Sequence, residues 1–152
     1  MPMSLIDIKS FNTSGTWSGN VYTWNGVTFT IHDDFSVTTG GTFSQRAYLY
    51  LQSTPTSIAK DTYIASGCPS GGSTTTYRIV NGTYDGSTAS TSFADTGDGV
   101  NRDVTTLSTP KIWCYIDIRA SSGIGKTFYP MLRLSTITDG SYEPYTGRNE
   151  FT

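Results

Sequence analysis

Apolar and polar residues alternate along this chain in short runs of period two, the repeat of a half-buried strand. The opening Leu5-Ile6-Asp7-Ile8 predicts a short edge strand, followed by a polar loop over residues 10–20. Val21-Tyr22-Thr23-Trp24 and Val27-Thr28-Phe29-Thr30-Ile31 flank Asn25-Gly26. That arrangement predicts a hairpin, because both central residues of a type I′ turn need positive φ. His32-Asp33-Asp34 reads as a polar turn, and residues 35–38 as a strand stopped by Gly40-Gly41. Residues 45–51 form the next strand, and a loop with Pro55 follows. Residues 62–65 run as a strand into Gly67-Cys68-Pro69-Ser70-Gly71-Gly72, where Gly and Pro forbid further pairing. Residues 75–80 are a strand closed by Asn81-Gly82. Residues 87–101 are small and polar around Phe93 and predict an irregular loop, with weak pairing over 104–107. Residues 111–119 and 126–134 are the clearest late strands, and the tail 139–152 is polar around Tyr142-Glu143-Pro144-Tyr145. Short strands with a turn signal every ~8–12 residues predict an all-β fold: a two-sheet antiparallel β-sandwich, of jelly-roll type. No repeat or linker divides the chain, so one domain is expected over residues 1–152.

The alternation also assigns faces. In Ile112-Trp113-Cys114-Tyr115-Ile116-Asp117-Ile118-Arg119, the residues Ile112, Cys114, Ile116 and Ile118 point one way and Trp113, Tyr115, Asp117 and Arg119 the other. Ala47, Leu49 and Leu51 likewise oppose Arg46, Tyr48, Tyr50 and Gln52. The apolar sets predict core. The other sets place large amphipathic rings beside charges that must reach water or one another. Such a face suits a sugar, whose C–H side stacks on Trp or Tyr while polar neighbours take its hydroxyls. It also suits a protein interface, where Tyr, Trp and Arg are enriched, and it suits rings that simply pair across strands. Tyr48, Tyr50, Trp113, Tyr115, Arg46, Asp117 and Arg119 are the candidate ligand-binding residues.

Composition narrows the classes of function. Thr (26) and Ser (19) dominate, whereas Glu occurs twice and Ala six times, which starves helices of their best formers. The 20 aromatics, spread from Phe11 to Phe151, set the chain apart from a disordered Ser/Thr-rich linker. A net charge of −2 supplies no footprint for nucleic acid or an anionic membrane, and no apolar run is long enough to span a bilayer. Met1-Pro2-Met3-Ser4 carries no signal-peptide pattern. Catalysis is not expected: His32 sits in a turn without a nucleophile elbow, Glu143 and Glu150 both lie in the tail, and no Asp among Asp33, Asp95, Asp98 and Asp117 is singled out as half of an acid/base pair. Cys68 and Cys114 lack zinc-ligand spacing; two reduced thiols are expected, with a disulfide between them as the alternative. No cofactor is expected. Asp95-Thr96-Gly97-Asp98-Gly99 carries the one candidate for a structural Ca²⁺, without the bidentate Glu of an EF-hand loop.

Three stretches resemble a known family. Lys126-Thr127-Phe128-Tyr129-Pro130-Met131-Leu132-Arg133-Leu134, continuing through Asp139-Gly140-Ser141-Tyr142-Glu143-Pro144-Tyr145, resembles the closing strand and tail of a jelly-roll domain. That domain, similar to carbohydrate-binding modules, recurs in minor structural and tail-tip proteins of phages and prophages of Gram-positive gut bacteria. The segment Gly67-Cys68-Pro69-Ser70-Gly71-Gly72 and the hairpin around Asn25-Gly26 resemble that family's internal motifs, in the same order. Phe35 stands where the family often has Gly, and residues 85–103 do not align with it. The resemblance implies a non-catalytic virion protein of tail or capsid surface that serves host attachment, with other virion proteins and further copies of itself as partners. A host cell-surface or cell-wall glycan is the expected ligand, and a purely structural, oligomerising role is the alternative.

Overall fold

The computed structural model describes residues 4–144. A short helix α1 (Leu5–Phe11) precedes thirteen strands. These are β1 (Thr16–Ser18), β2 (Val21–Trp24), β3 (Val27–Ile31), β4 (Val37–Gly41), β5 (Ala47–Ser57), β6 (Thr62–Ser66) and β7 (Tyr77–Asp85). They continue with β8 (Thr88–Ala89), β9 (Phe93–Asp95), β10 (Val100–Asp103), β11 (Pro110–Ile118), β12 (Thr127–Phe128) and β13 (Met131–Leu134). The chain is all-β and antiparallel, as expected. Pairing follows the orders β1-β2-β3-β4-β12, β5-β11-β7-β8 with β9 also on β7, and β10-β6-β13. Val27, Phe29, Ile31 and Val37 from the first sheet meet Leu49, Ile79, Ile116 and Ile118 from the second in one buried cluster, which Tyr63 and Leu132 of the third join. No helix among the described residues is long and apolar enough to cross a membrane.

The β2–β3 hairpin forms as expected, with Asn25 at φ 50° and Gly26 at φ 81°. Elsewhere tertiary contacts override local signals. Leu5-Ile6-Asp7-Ile8 is helical rather than an edge strand: Ser4 caps the helix by accepting the N–H of Asp7 at 3.2 Å, and Ile8 is buried. Asn12, just beyond the helix, accepts the N–H of Tyr50 and donates to its carbonyl, both at 2.8 Å. One side-chain amide thereby occupies the open edge of β5 as a neighbouring strand would, which protects that edge from foreign pairing. Gly40 and Gly41 are the last two residues of β4, paired with Thr28 and Val27, and the strand ends there. Residues 104–107 turn rather than pair, with Leu107 N–H donating to Val104 O at 3.2 Å. Residues 126–134 split at Tyr129-Pro130 into β12, which pairs with β4, and β13, which pairs with β6. Phe128 and Leu132 are buried, and Leu134 is half-buried against the core. Tyr142 pins the tail by donating to Asp34 O at 2.8 Å and by edge-on packing on Tyr129. Tyr145, the other expected ring of that anchor, lies outside the described residues.

Candidate functional site

Strand parity sets the site. Ala47, Leu49, Leu51, Ile112, Cys114, Ile116 and Ile118 are buried, as the alternation requires. Tyr48, Tyr50, Trp113 and Tyr115 are half-buried on the opposite face of β5 and β11. The pairing registers Tyr50 against Tyr115, and the rings form one continuous surface. Trp113 stacks on Tyr115 with centroids 5.4 Å apart, and Tyr50 lies 5.7 Å from Trp113 and 5.6 Å from Tyr115. Tyr48 is 5.3 Å from Tyr50 and 5.7 Å from Tyr115. Burial first, then Tyr48 and Tyr115, hold the Tyr50 phenol above its ordinary value. A fifth ring joins from another sheet: Trp24 at the end of β2 packs edge-on against Tyr48 at 4.7 Å. The alternation could not single it out, because Trp24 shares its parity with the buried Tyr22.

The platform depends on a residue whose sequence signal points elsewhere. Asn81-Gly82 reads as a turn, yet β7 runs straight through it to Asp85, and Gly82 pairs with Trp113. A Cβ on Gly82 would collide with Nε1 and Cε2 of the indole. The missing side chain lets Trp113 lie flat on β7, and its Nε1 is buried without a hydrogen-bond partner among the described residues. Next to it β5 departs from regular pairing. Gln52 pairs with Cys114 and Thr56 with Ile112, so the segment holding Pro55 bulges opposite Trp113. This continues β5 where a loop was expected, and Pro is tolerated because β5 is an edge strand. The bulge, with Tyr50, Tyr84 and Trp113, bounds an open cleft of about 330 Å³.

The charged end is arranged differently from expectation. Asp117 was expected to meet ligand, but it is fully buried and cannot do so. Its Oδ1 accepts from Arg46 Nε at 2.8 Å, its Oδ2 from Arg78 Nε at 3.1 Å, and Arg119 Nη1 stands 3.8 Å from Oδ2. A buried carboxylate needs such partners, since a lone charge without water would be expelled or neutralised. Asp117 therefore positions three guanidiniums, and Arg46 and Arg119 are the groups that face solvent. Arg46 also lies over the Tyr48 ring, with Cζ 4.9 Å from the centroid. Arg78, paired through Asp117 across β7, was not among the sequence candidates, although its register opposite Asp117 follows from the strand order.

No family model, curated protein or solved structure matches the chain.

The remaining candidate chemistry takes structural positions. Asp95, proposed for a Ca²⁺ loop, is fully buried and accepts the N–H groups of Cys68, Gly97 and Gly99, each at 2.9 Å. Its oxygens hold the loop in shape. Among the described residues no three His, Cys, Asp or Glu side chains gather into a metal-holding group. Cys68 and Cys114 are both buried thiols; burial, then the charge of Asp95, pushes Cys68 up to about 12. His32 is exposed, with Nε2 2.8 Å from Thr38 Oγ1.

Proposed function

We propose that this chain is a non-catalytic binding module that holds a glycan on the outer face of β5, β11 and β7. The observation that carries the reading is the five-ring surface of Trp24, Tyr48, Tyr50, Tyr115 and Trp113, half-buried and contiguous, ending in the cleft beside Pro55. Rings held by packing on both flanks lose little freedom on binding, which favours stacking against the C–H face of a pyranose. Trp113 and Asp117 are four residues apart, about 13 Å along a strand, so the face is longer than one sugar ring. With the family resemblance, the module is read as part of a virion, a jelly roll on a phage tail or capsid surface that engages host cell-wall or surface glycan. Weak single-site affinity would be raised by several copies on the particle.

A glycan array followed by calorimetry tests this, with Trp113→Ala, Tyr48→Ala and Gly82→Ala alongside the parent. Gly82→Ala is the most selective, because it displaces the indole without removing it. Binding lost in all three supports the module. Binding unchanged in Trp113→Ala and Gly82→Ala rejects the site. Self-association in sedimentation that these substitutions abolish, with no glycan bound by the parent, supports the structural, oligomerising role instead.

A further inference from the structure

Around Asp117, three guanidiniums face one carboxylate and leave two positive charges in excess, within a chain of net charge −2. The donors are also in excess. Each guanidinium carries five N–H groups, whereas one carboxylate offers about four acceptor positions. Among the described residues Arg46 commits only Nε to Asp117, and Arg119 stands at 3.8 Å, beyond hydrogen-bond range. Their side chains keep 43% and 39% of their exposure, against 18% for Arg78, so Arg46 and Arg119 are the ones available to a ligand. The buried carboxylate fixes Arg46 through a hydrogen bond, so little is lost in ordering it on binding. Arg46 lies over Tyr48, which packs on Tyr115, so the donors adjoin the ring surface directly. Planar donors suit a carboxylate or phosphate.

We propose that the face takes an acidic saccharide, its carboxylate or phosphate held by Arg46 and Arg119 while its sugar rings lie on Tyr48, Tyr115 and Trp113. The proposal rests on the glycan-binding reading above and names the class of glycan. A single-stranded nucleic acid also combines stacking with negative charge. It needs cationic groups along the whole strand, however, and here the rings separate the arginines at one end of the face from Lys111 at the other.

The test is calorimetry against matched probes: tetragalacturonate and its methyl ester for the carboxylate arm, and a phosphorylated mannose oligosaccharide before and after phosphatase for the phosphate arm. Oligodeoxythymidylate is the nucleic-acid control. At least tenfold tighter binding of an acidic member over its neutral partner is expected, with the preference weakened by salt and erased in Arg46→Gln. Arg119→Gln, whose ion pair is long and exposed, should reduce the preference without disturbing folding, which thermal melts verify. Equal binding of acidic and neutral partners overturns the proposal, as does tighter binding of the oligonucleotide. Equal binding of acidic and neutral partners that Trp113→Ala abolishes and Arg119→Gln leaves intact overturns the acid preference alone, and the glycan module stands. Absence of binding to every saccharide overturns both.

Discussion

Asp95 and Asp117 are both fully buried carboxylates, and they are satisfied in opposite ways. Asp95 takes three backbone N–H groups, which belong to the loop it shapes and have no further capacity. Asp117 takes arginines on long side chains whose remaining N–H groups reach solvent. The first arrangement closes on itself and holds the turn between β9 and β10 against the start of the Cys68 loop. The second leaves charge facing outward. A buried acid thus leaves charge at the surface only where its partners carry more donors than it can accept.

The largest expected effect is on Asp95→Ala. Three N–H groups lose their acceptor in or near the interior, which costs roughly 4 kcal/mol of stability at about 1–3 kcal/mol per orphaned group. Chemical denaturation measures it, and any glycan binding by the folded fraction should persist. Asp117→Ala should cost less, about 3 kcal/mol, because Arg46 and Arg119 can relax into water once the carboxylate is gone. Its binding should nevertheless fall, since the donors are no longer positioned. The comparison breaks if Asp117→Ala is the more destabilising, or if it leaves binding untouched while Asp95→Ala removes it.

Aspartates nearer the surface sharpen the contrast, because they make the same kind of contact as Asp95 without its burial. The hydroxyl and then the N–H of Ser36 hold Asp34 below the usual carboxylate range, and Thr105 does the same for Asp103. The N–H of Thr109, then that of Ser108, lowers Asp85. A folded-state value below the unfolded one stabilises above the unfolded pKa and is lost as pH falls through the folded one. Stability from these groups should therefore be level between about pH 5 and 7 and decline below about pH 4. Denaturation midpoints across that range check it, and Asp103→Asn should flatten part of the decline. The smallest effect is expected at Phe35, which holds φ 64° in the turn before β4 while half-buried against the core. The left-handed conformation costs a bulky residue about 1–2 kcal/mol, and Phe35→Gly would relieve it while losing apolar contact. The net change should stay within about 1 kcal/mol in a denaturation curve.

The backbone at position 35 adopts the left-handed conformation that Gly favours, and Phe35 carries the strain. Much of the site was legible in the chain. Period two alone separated Tyr48, Tyr50, Trp113 and Tyr115 from the core side of their strands. What the chain could not reveal locally was the context of each signal. Ser4 and Asp7 have the spacing of a helix cap, yet the apolar run beside them also fits a strand. Asn81-Gly82 has turn chemistry, but its role is to make room for an indole from β11.

The sequence by itself determined the all-β class, the Asn25-Gly26 hairpin, and which rings share a face. These follow from φ preferences and from the alternation of side chains along a single strand, both local. Only the tertiary structure decided that Gly82 lies beneath Trp113, that β5 bulges at Pro55 to open a cleft, that Trp24 joins from another sheet, and that Asp117 is buried under three arginines. Each of these depends on which strand lies beside which and in what register, and residues far apart in the chain meet only once the sheets have paired.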